Sequence, residues 1–267
     1  MTILYQNKQY IRDNITKKRD DERSNDEFRK ITIETGVIGR AEGSARVKIG
    51  DTEIIAGIKM DIGKPFPDSP AEGVIMVNSE FSALASPDFE NGPPREDSIE
   101  LSRVVDRGIR ESKTLDVEKL CVEEGEKVWM VFIDITIVNH DGNLIDAAGI
   151  GAITALLTAQ IPKIDKDGTI NRDGKFEGAL PIRDIPVPIT SGLINNTIVT
   201  DMNKNETECA EAIFTVATIK NENYCAMQKA GPSEMTDEQM LKISEIAQKE
   251  SKKIRSAIEA AVKKHKA

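Results

Sequence analysis

The strongest constraint on the fold lies in the middle of the chain, where a long β-branched run leads through a glycine turn into a segment of small apolar residues. Residues 128–138 predict a central strand, because β-branched side chains pack well on a pleated, buried surface. Residues 140–143, His-Asp-Gly-Asn, are typical of a turn, and residues 146–160 predict a buried helix. A strand and a helix that both avoid water favour a domain of mixed secondary structure.

The flanking segments supply more helices and strands. Residues 236–264 predict a long C-terminal helix that begins with a capping box formed by Thr236 and Gln239. Another helix is expected to begin near Asp97 or Ser98, either of which can cap it. Further strands are predicted at residues 44–49 and 53–60, which a Gly-Asp hairpin turn separates, and at 73–78, 194–200, 212–219 and 225–229.

These elements predict an α+β fold. Residues 1–28 are expected to form an N-terminal helix and a charged arm, in which Ile11 and Ile15 stand at helical spacing. Residues 29–267 are expected to form one domain, with mixed sheets packed against helices. Residues 162–190 contain several prolines and predict a loop-rich connection.

The charge balance limits how the chain can bind nucleic acid. Of its 267 residues, 39% are hydrophobic and 30% are charged, which supports a core under a charged surface, but the net charge is −9. A protein that binds nucleic acid alone usually has an excess of basic residues, because neutralising phosphates supplies most of the affinity. Any RNA contact must therefore use a local basic patch or a cleft shared with another subunit.

The cysteines, histidines and N-terminal sequence favour a cytoplasmic protein without a metal site. Cys121, Cys209 and Cys225 are too few for a disulfide framework. Neither these cysteines nor His140 and His265 have the spacing of metal ligands. The N-terminal sequence lacks the apolar segment of a signal peptide, and the longest apolar run is too short to span a bilayer.

The glycine turn is the first candidate site. A strand that enters a glycine turn and then a helix, as in residues 141–149, can offer backbone N–H groups to a phosphate. The alternative is a tight turn with close packing at Gly149 and Gly151. The spacing alone favours the tight turn, because a short glycine pattern is weak support for a phosphate site.

Arginines on the helix expected near residues 97–115 are the second candidate. Arg103, Arg107 and Arg110 fall within about 60° of one another on one helical face, and a planar guanidinium suits phosphate. The opposite face is apolar and would anchor the helix: it carries Leu101, Val104, Val105 and Gly108. The alternative is a solvated face, because acidic residues precede two of the arginines by three or four positions and such ion pairs are common on exposed helices.

An acidic stretch is the third candidate, and it consists of Asp201, Glu206, Glu208 and Glu211. Paired carboxylates can hold a metal ion or act as a general acid. The stretch is also rich in Asn and Thr, which favours a simple acidic turn between strands.

Several segments together resemble the RNase PH family. Residues 19–23, Arg-Asp-Asp-Glu-Arg, resemble its N-terminal Arg-x-Asp-Gly-Arg signature with Glu22 in place of Gly, and residues 43–50 resemble its first hairpin. Residues 99–120 and 139–157 are most similar to one branch, the non-catalytic ring subunits of the archaeal exosome. The resemblance implies an RNase PH-like fold with a long C-terminal helix.

Two acidic positions of active family members are missing from this chain. They follow a strand end that the Asp-Met-Asn sequence at 201–203 matches, and they fall on Thr207 and Ile213. Neither of these side chains can hold a divalent metal or protonate a leaving group. A small slip in the comparison would instead bring Glu206 or Glu208 to an acidic position.

The phosphate turn of active members is missing as well. They carry a Gly-Thr-Arg or Gly-Ser-Arg type turn where this chain has Asn143, Leu144 and Ile145. The loss of both features implies degenerate active-site positions, and a chain with no catalytic residue and no bound cofactor or metal of its own.

The resemblance also implies partners. In the resembled branch, arginines at the positions of Arg103 and Arg107, with Arg110 on the same face, reach the RNA path of a neighbouring active subunit. That partner, an active RNase PH-like exosome subunit, would form three heterodimers with this chain in a six-membered ring. It would degrade single-stranded RNA from the 3′ end with inorganic phosphate, magnesium being a second candidate cofactor. RNA-binding cap subunits complete the implied assembly, which contacts no membrane.

Two other functions stay open on the sequence. One is an autonomous phosphorolytic 3′-to-5′ exoribonuclease of the same family, which would act on RNA without a partner. The other is a scaffold that makes no RNA contact.

Overall fold

The structure, a computed structural model, describes residues 5–90, 92–165, 169–171 and 176–266. The first four residues of the predicted N-terminal segment and parts of the predicted loop 162–190 lie outside this range. The helices are α1 (Tyr5–Asn14), α2 (Glu96–Glu111), α3 (Leu144–Thr158), α4 (Lys204–Cys209) and α5 (Asp237–Lys266). The strands are β1 (Ile31–Thr35), β2 (Gly43–Ile49), β3 (Thr52–Gly63), β4 (Val74–Phe81), β5 (Cys121–Glu123), β6 (Lys127–Asn139), β7 (Gln160–Pro162), β8 (Phe176–Ala179), β9 (Val187–Ile194), β10 (Thr197–Thr200), β11 (Ala212–Thr218) and β12 (Tyr224–Ala230).

Two sheets form the framework of the domain. The larger has six strands in the order β1-β2-β3-β6-β4, with β5 also paired to β6, and only the β4–β6 pair is parallel. The smaller has four antiparallel strands in the order β10-β9-β11-β12. The predicted central strand is β6, which pairs with a long strand on each side. β7 and β8 form a separate two-stranded sheet.

Helix α3 joins the two sheets into one core. It contacts β2 and β3 of the larger sheet and β9 of the smaller one, and residues 146–156 are all buried. A Cβ on Gly149 would lie 2.4 Å from Pro188 Cγ, and a Cβ on Gly151 would lie 2.3 Å from Ile54 Cδ1. The close packing predicted at these two glycines is therefore confirmed, because any side chain there would push α3 away from the sheets.

Helix α5, with 30 residues, closes the domain as predicted. The Thr236 N–H donates to Gln239 Oε1 (2.9 Å) and the Gln239 N–H donates to Thr236 Oγ1 (3.2 Å), which is the predicted capping box. One face of α5 packs against β1, β9 and β11. The predicted α+β class is thus confirmed. The helices within the described residues include none long and apolar enough to cross a membrane.

The predicted loop 162–190 contains two strand segments, β8 and the first half of β9. β9 is buried along its whole length and pairs with β11 from Val187 onward, whereas β10 reaches only Ser191–Ile194. Pro188 therefore lies where β9 has a neighbour on one side only, so its missing N–H is tolerated. The sequence prediction was wrong here because it treated every proline as a loop signal.

The predicted strand 194–200 is also wrong, since it crosses a hairpin turn. Asn195 and Asn196 have φ values of 48° and 59°, and they join β9 to β10. Asparagine tolerates this left-handed conformation better than most residues do, so two successive asparagines were a turn signal.

The predicted cap of α2, Asp97 or Ser98, is wrong by two or three residues. The N-cap is Arg95, whose side chain makes no capping hydrogen bond. Glu96 and Asp97 occupy the first turn, where carboxylates interact favourably with the helix dipole. The Ser98 hydroxyl lies inside the helix and donates to the Arg95 carbonyl (3.1 Å). Charge at the first turn takes the place of the expected cap.

The acidic stretch after residue 200 forms a helix, α4, instead of a simple turn. The Asn203 side chain accepts a hydrogen bond from the Glu206 N–H (2.9 Å), and Glu206 Oε2 accepts one from the Asn203 N–H (2.9 Å). α1 packs against α4, and its predicted apolar residues Ile11 and Ile15 are buried there beside Cys209. The N-terminal segment is thereby fixed to the end of β10.

Candidate functional site

A cavity of about 290 Å³ lies at the start of α3, between α2 and the ends of β10, β11 and β12. We call it the α3 pocket. It brings together every position that the sequence comparison marked as degenerate, namely Asn143, Leu144, Ile145, Thr207 and Ile213. Its other lining residues are Phe81, Phe89, Asp97, Glu100, Leu101, His140, Thr190, Met202 and Ala230. Residues distant in sequence thus converge on one cavity.

The two predicted acidic positions offer no acid to the pocket. The Thr207 hydroxyl donates to the Asn203 carbonyl (2.8 Å), so its proton is used within α4. Ile213 packs with its apolar neighbours. Neither Glu206 nor Glu208 lines the pocket, so the structure does not favour the shifted comparison. Neither Thr207 nor Ile213 carries a carboxylate, so neither position supplies the general acid or metal ligand that the resemblance places there.

The turn before α3 is closed by its own side chains. Gly142 and Asn143 both have left-handed backbones, with φ values of 82° and 50°. The Asn143 Nδ2 donates to Asp201 Oδ1 (2.7 Å) and to Asp146 Oδ2 (3.0 Å). A Cβ on Gly142 would lie 2.4 Å from the Met202 carbonyl oxygen. This geometry favours the tight-turn interpretation over a phosphate site.

Two buried acids, Asp201 and Glu206, are paired with arginines that precede β1 in the chain. Arg19 binds both carboxylate oxygens of Glu206, with Nε–Oε1 at 2.8 Å and Nη2–Oε2 at 2.6 Å. Arg29 binds Asp201 through Nε and Nη2, each at 2.9 Å, and Arg23 Nη1 binds Asp201 Oδ2 at 3.0 Å. We call these residues the arm network. Their bidentate geometry leaves neither carboxylate free for a ligand.

The N-terminal signature has a structural explanation in this network. Arg19 and Arg23 are its first and last residues, and both belong to the arm network. Glu22, which stands where the signature has Gly, adopts φ 67° and pairs with Lys18 (2.6 Å). A left-handed residue between two anchored arginines explains why glycine suits this position.

Asp146 and His140, which lie at or beside the pocket, both have pKa values far from their ordinary ones. Burial raises the pKa of Asp146 to about 7, although Thr190 and Asn143 donate hydrogen bonds to its carboxyl group. Burial also lowers the pKa of His140 to about 4, and its ring stacks on Phe89 with centroids 5.2 Å apart. In both groups, burial shifts the pKa in the direction that favours the neutral form.

The arginine helix is anchored as predicted. Leu101, Val104, Val105 and Gly108 are all buried. Arg103 is exposed and has no hydrogen bond or ion pair with any residue that the structure describes. Arg107 Nη1 donates to Gln228 Oε1 on β12 (3.0 Å), and Arg110 pairs with Asp106 (2.7 Å). The predicted solvated ion pair thus forms at Arg110 but not at Arg103.

Sequence analysis missed the arm network, because nothing local links residues near 20 to residues near 200. The Asn-x-x-Glu spacing of a capping box at Asn203 and Glu206 was the available signal for α4. The aromatic wall of the pocket was also missed. Within the described ranges, no three His, Cys, Asp or Glu residues are grouped as a metal site, and the three cysteines are unpaired.

Comparison with known proteins agrees with this geometry. Residues 27–162 match domain 1 of the 3′ exoribonuclease (RNase PH) family, and residues 184–250 match domain 2. The chain is 49% identical over 241 residues to the exosome complex component Rrp42 of Methanocella arvoryzae, covering 90% of each protein.

Solved structures give the same result. One chain of the Archaeoglobus fulgidus exosome with RNA bound to the active site is 43% identical, with a TM-score of 0.88 over 94% of this chain and 96% of that one. A chain of an archaeal exosome core is 39% identical, with a TM-score of 0.84 over 95% and 96%. The chain therefore belongs to the RNase PH family of 3′ exoribonucleases, among the Rrp42 components of the exosome.

Proposed function

We propose that this chain is a non-catalytic, structural and RNA-binding subunit of an archaeal exosome in the cytoplasm. An active RNase PH-like partner would carry out 3′-to-5′ phosphorolysis of single-stranded RNA. The two would form three heterodimers in a six-membered ring that also carries RNA-binding cap subunits. Inorganic phosphate, and magnesium where it is needed, would belong to the partner's site.

The composition of the α3 pocket carries this proposal. Phosphorolysis requires a phosphate held close to the scissile phosphodiester and groups that stabilise the developing charge. In the pocket, Leu144 and Ile145 occupy the phosphate turn, and Thr207 and Ile213 occupy the acidic positions. The nearby Asp201 and Glu206 are committed to the arm network. None of these positions supplies the phosphate turn or the acids that active family members use.

The RNA-binding part rests on α2. The net charge of −9 opposes binding of RNA over a broad surface, so a local contact is required. Arg103 is exposed and unpaired within the described part of the chain, and its helix is anchored on the opposite face. Arg107 would need to release Gln228, and Arg110 would need to release Asp106, before either could bind a phosphate with its full set of donors. Arg103 is therefore the first contact that we expect.

Co-expression tests the assembly directly. We expect the full chain to form a stable heteromer with an RNase PH-like partner from the same organism, and its melting temperature to rise with the partner bound. Binding to the folded state alone stabilises that state by mass action, and permanent ring interfaces bury large apolar areas. A well-folded monomer that does not co-purify with the partner would contradict the proposal.

A further inference from the structure

The α3 pocket retains a volume and a chemistry that the proposed RNA-binding role does not use. Most of its wall is apolar and consists of Phe81, Phe89, Leu101, Leu144, Ile145, Met202, Ile213 and Ala230. A concave apolar cavity of about 290 Å³ has room for one large aliphatic or aromatic side chain. Filling it would remove apolar surface from water, which is favourable at roughly 25 cal/mol per Å².

The mouth of the pocket is acidic. Asp97 and Glu100 stand one turn apart on α2, and both are exposed. Throughout the described ranges, neither carboxylate has a hydrogen-bond or ion-pair partner in a side chain. The nearest cation on α4, Lys204, is already paired with Asp88. The mouth thus presents two carboxylates that are not paired with any basic side chain in the described part of the chain.

His140 does not offset this charge. Its ring lines the pocket and stacks on Phe89, and burial lowers its pKa to about 4, so the imidazole is neutral at physiological pH. Lys204 also raises the cost of a proton on this ring by repulsion. The pocket therefore combines an apolar interior with a negative rim.

We propose that the α3 pocket is a docking site for a basic segment of a partner protein, which inserts one Leu, Met or Phe side chain flanked by Lys or Arg. The apolar wall selects the anchor side chain, and the carboxylates of Asp97 and Glu100 select the flanking cations. The same carboxylates repel the phosphates of RNA, so RNA that binds at Arg103 stays outside the pocket. The former active-site position thereby serves protein recognition.

Fluorescently labelled nonapeptides provide the probe. One peptide has a central leucine between lysines, a second replaces the lysines by glutamates, and a third replaces the leucine by glycine. Anisotropy is measured on the full chain in the assembly that it forms. We expect the first peptide to bind about tenfold more tightly than either of the others, because two exposed ion pairs and one buried side chain each contribute modestly.

Two variants and one matched control locate the binding. The double change Asp97→Lys and Glu100→Lys should reverse the preference between the lysine and glutamate peptides, and Ala230→Phe should abolish binding by filling the pocket. Glu111→Lys makes one such charge reversal at the far end of α2, and the preference should survive it. Assembly and melting temperature, measured on each variant, show whether it is folded.

Three results would overturn the proposal. The first is equal binding of all three peptides, and the second is a preference that the Glu111→Lys control loses as fully as the double variant does. The third is a photo-crosslink between single-stranded RNA and Phe89, which would assign the pocket to RNA. Because these readouts involve neither RNA decay nor ring formation, their failure is separate from a failure of the proposed function.

Discussion

The chain uses arginine in two opposite ways. In the arm network, Arg19 has a side chain with 0% exposure, and it binds Glu206 and three backbone carbonyls. On α2, Arg103 is exposed and contacts no described acidic group. The two residues have the same charge and the same donor geometry, and they differ only in what surrounds them.

The difference separates structure from recognition. A buried guanidinium that meets a carboxylate in two hydrogen bonds fixes the backbone on both sides, here the arm and α4. An exposed guanidinium on an anchored helix keeps its donors available for a phosphate. Residue type alone therefore assigns neither role, and burial and pairing together assign both.

The largest expected effect is on stability, at Arg19. Arg19→Ala would leave the Glu206 carboxylate buried without its cation, which costs about 3–5 kcal/mol. We expect the urea midpoint of the assembled protein to fall accordingly, and Arg103→Ala, the matched exposed change, to shift the free energy of unfolding by less than about 0.5 kcal/mol. The double variant Arg19→Ala with Glu206→Gln should recover part of the loss. Equal effects of Arg19→Ala and Arg103→Ala would remove the contrast.

Asp146 shows what happens to a buried carboxyl group without an arginine. Its folded pKa of about 7 lies above its ordinary value of 3.8, so its contribution to stability is complete below pH 4 and is lost as the pH rises through 7. Asp146→Asn keeps the hydrogen bonds of the protonated acid but removes the titration. Relative to this variant, the wild-type chain should lose a few kcal/mol of unfolding free energy between pH 5 and pH 8.

His140 acts in the opposite direction and must be controlled. Its folded pKa of about 4 lies below its ordinary value of 6.5, so its contribution is complete above pH 6.5 and is lost as the pH falls toward 4. Urea unfolding of Asp146→Asn should therefore show stability that rises with pH in this window, while the wild-type profile is flatter. Parallel profiles for the two proteins would contradict the assignment to Asp146.

The smallest effect on stability and the clearest effect on binding are expected on α2. Arg103→Ala should weaken single-stranded RNA binding by the assembled complex, and it should reduce the salt dependence by roughly 0.7 log units per log unit of salt. Arg107→Ala should weaken binding less, because Arg107 already donates to the neutral Gln228. Arg110→Ala should weaken it least, because Arg110 is already paired with the charged Asp106. Unchanged binding in the Arg103 variant at low and moderate salt would make α2 a solvated surface.

The sequence predicts the fold better than it predicts these two roles. The β6 run and the α3 segment are long and strongly apolar, so both could be located from residues 128–160 alone. β9 was missed because it contains Pro188. A proline fits in this strand because β9 has only one neighbouring strand at that position, which is a property of the sheet and not of the local sequence. The arm network was missed because its partners lie more than 170 residues apart. Local patterns carry no signal of such pairs.

Unlike the arm network, the degenerate positions of the α3 pocket could be grouped from the sequence. Asn143, Thr207 and Ile213 could be placed together because the family resemblance supplied their relation in space, which periodicity could not. The family resemblance gave no indication that Asp97 and Glu100 lie at the mouth of a pocket. Its meaning depends on the apolar cavity behind it.

The phosphate-dependent release of nucleoside diphosphates from a labelled single-stranded RNA tests the central claim most directly. It should be measured on the lone chain, on the complex with the active partner, and on a complex whose partner has lost its own catalytic acids. We expect release only from the second preparation, because in the α3 pocket Leu144 and Ile145 stand at the phosphate-turn positions and Thr207 and Ile213 stand at the acidic positions. Release from the third preparation would place a working site in this chain and contradict the non-catalytic account.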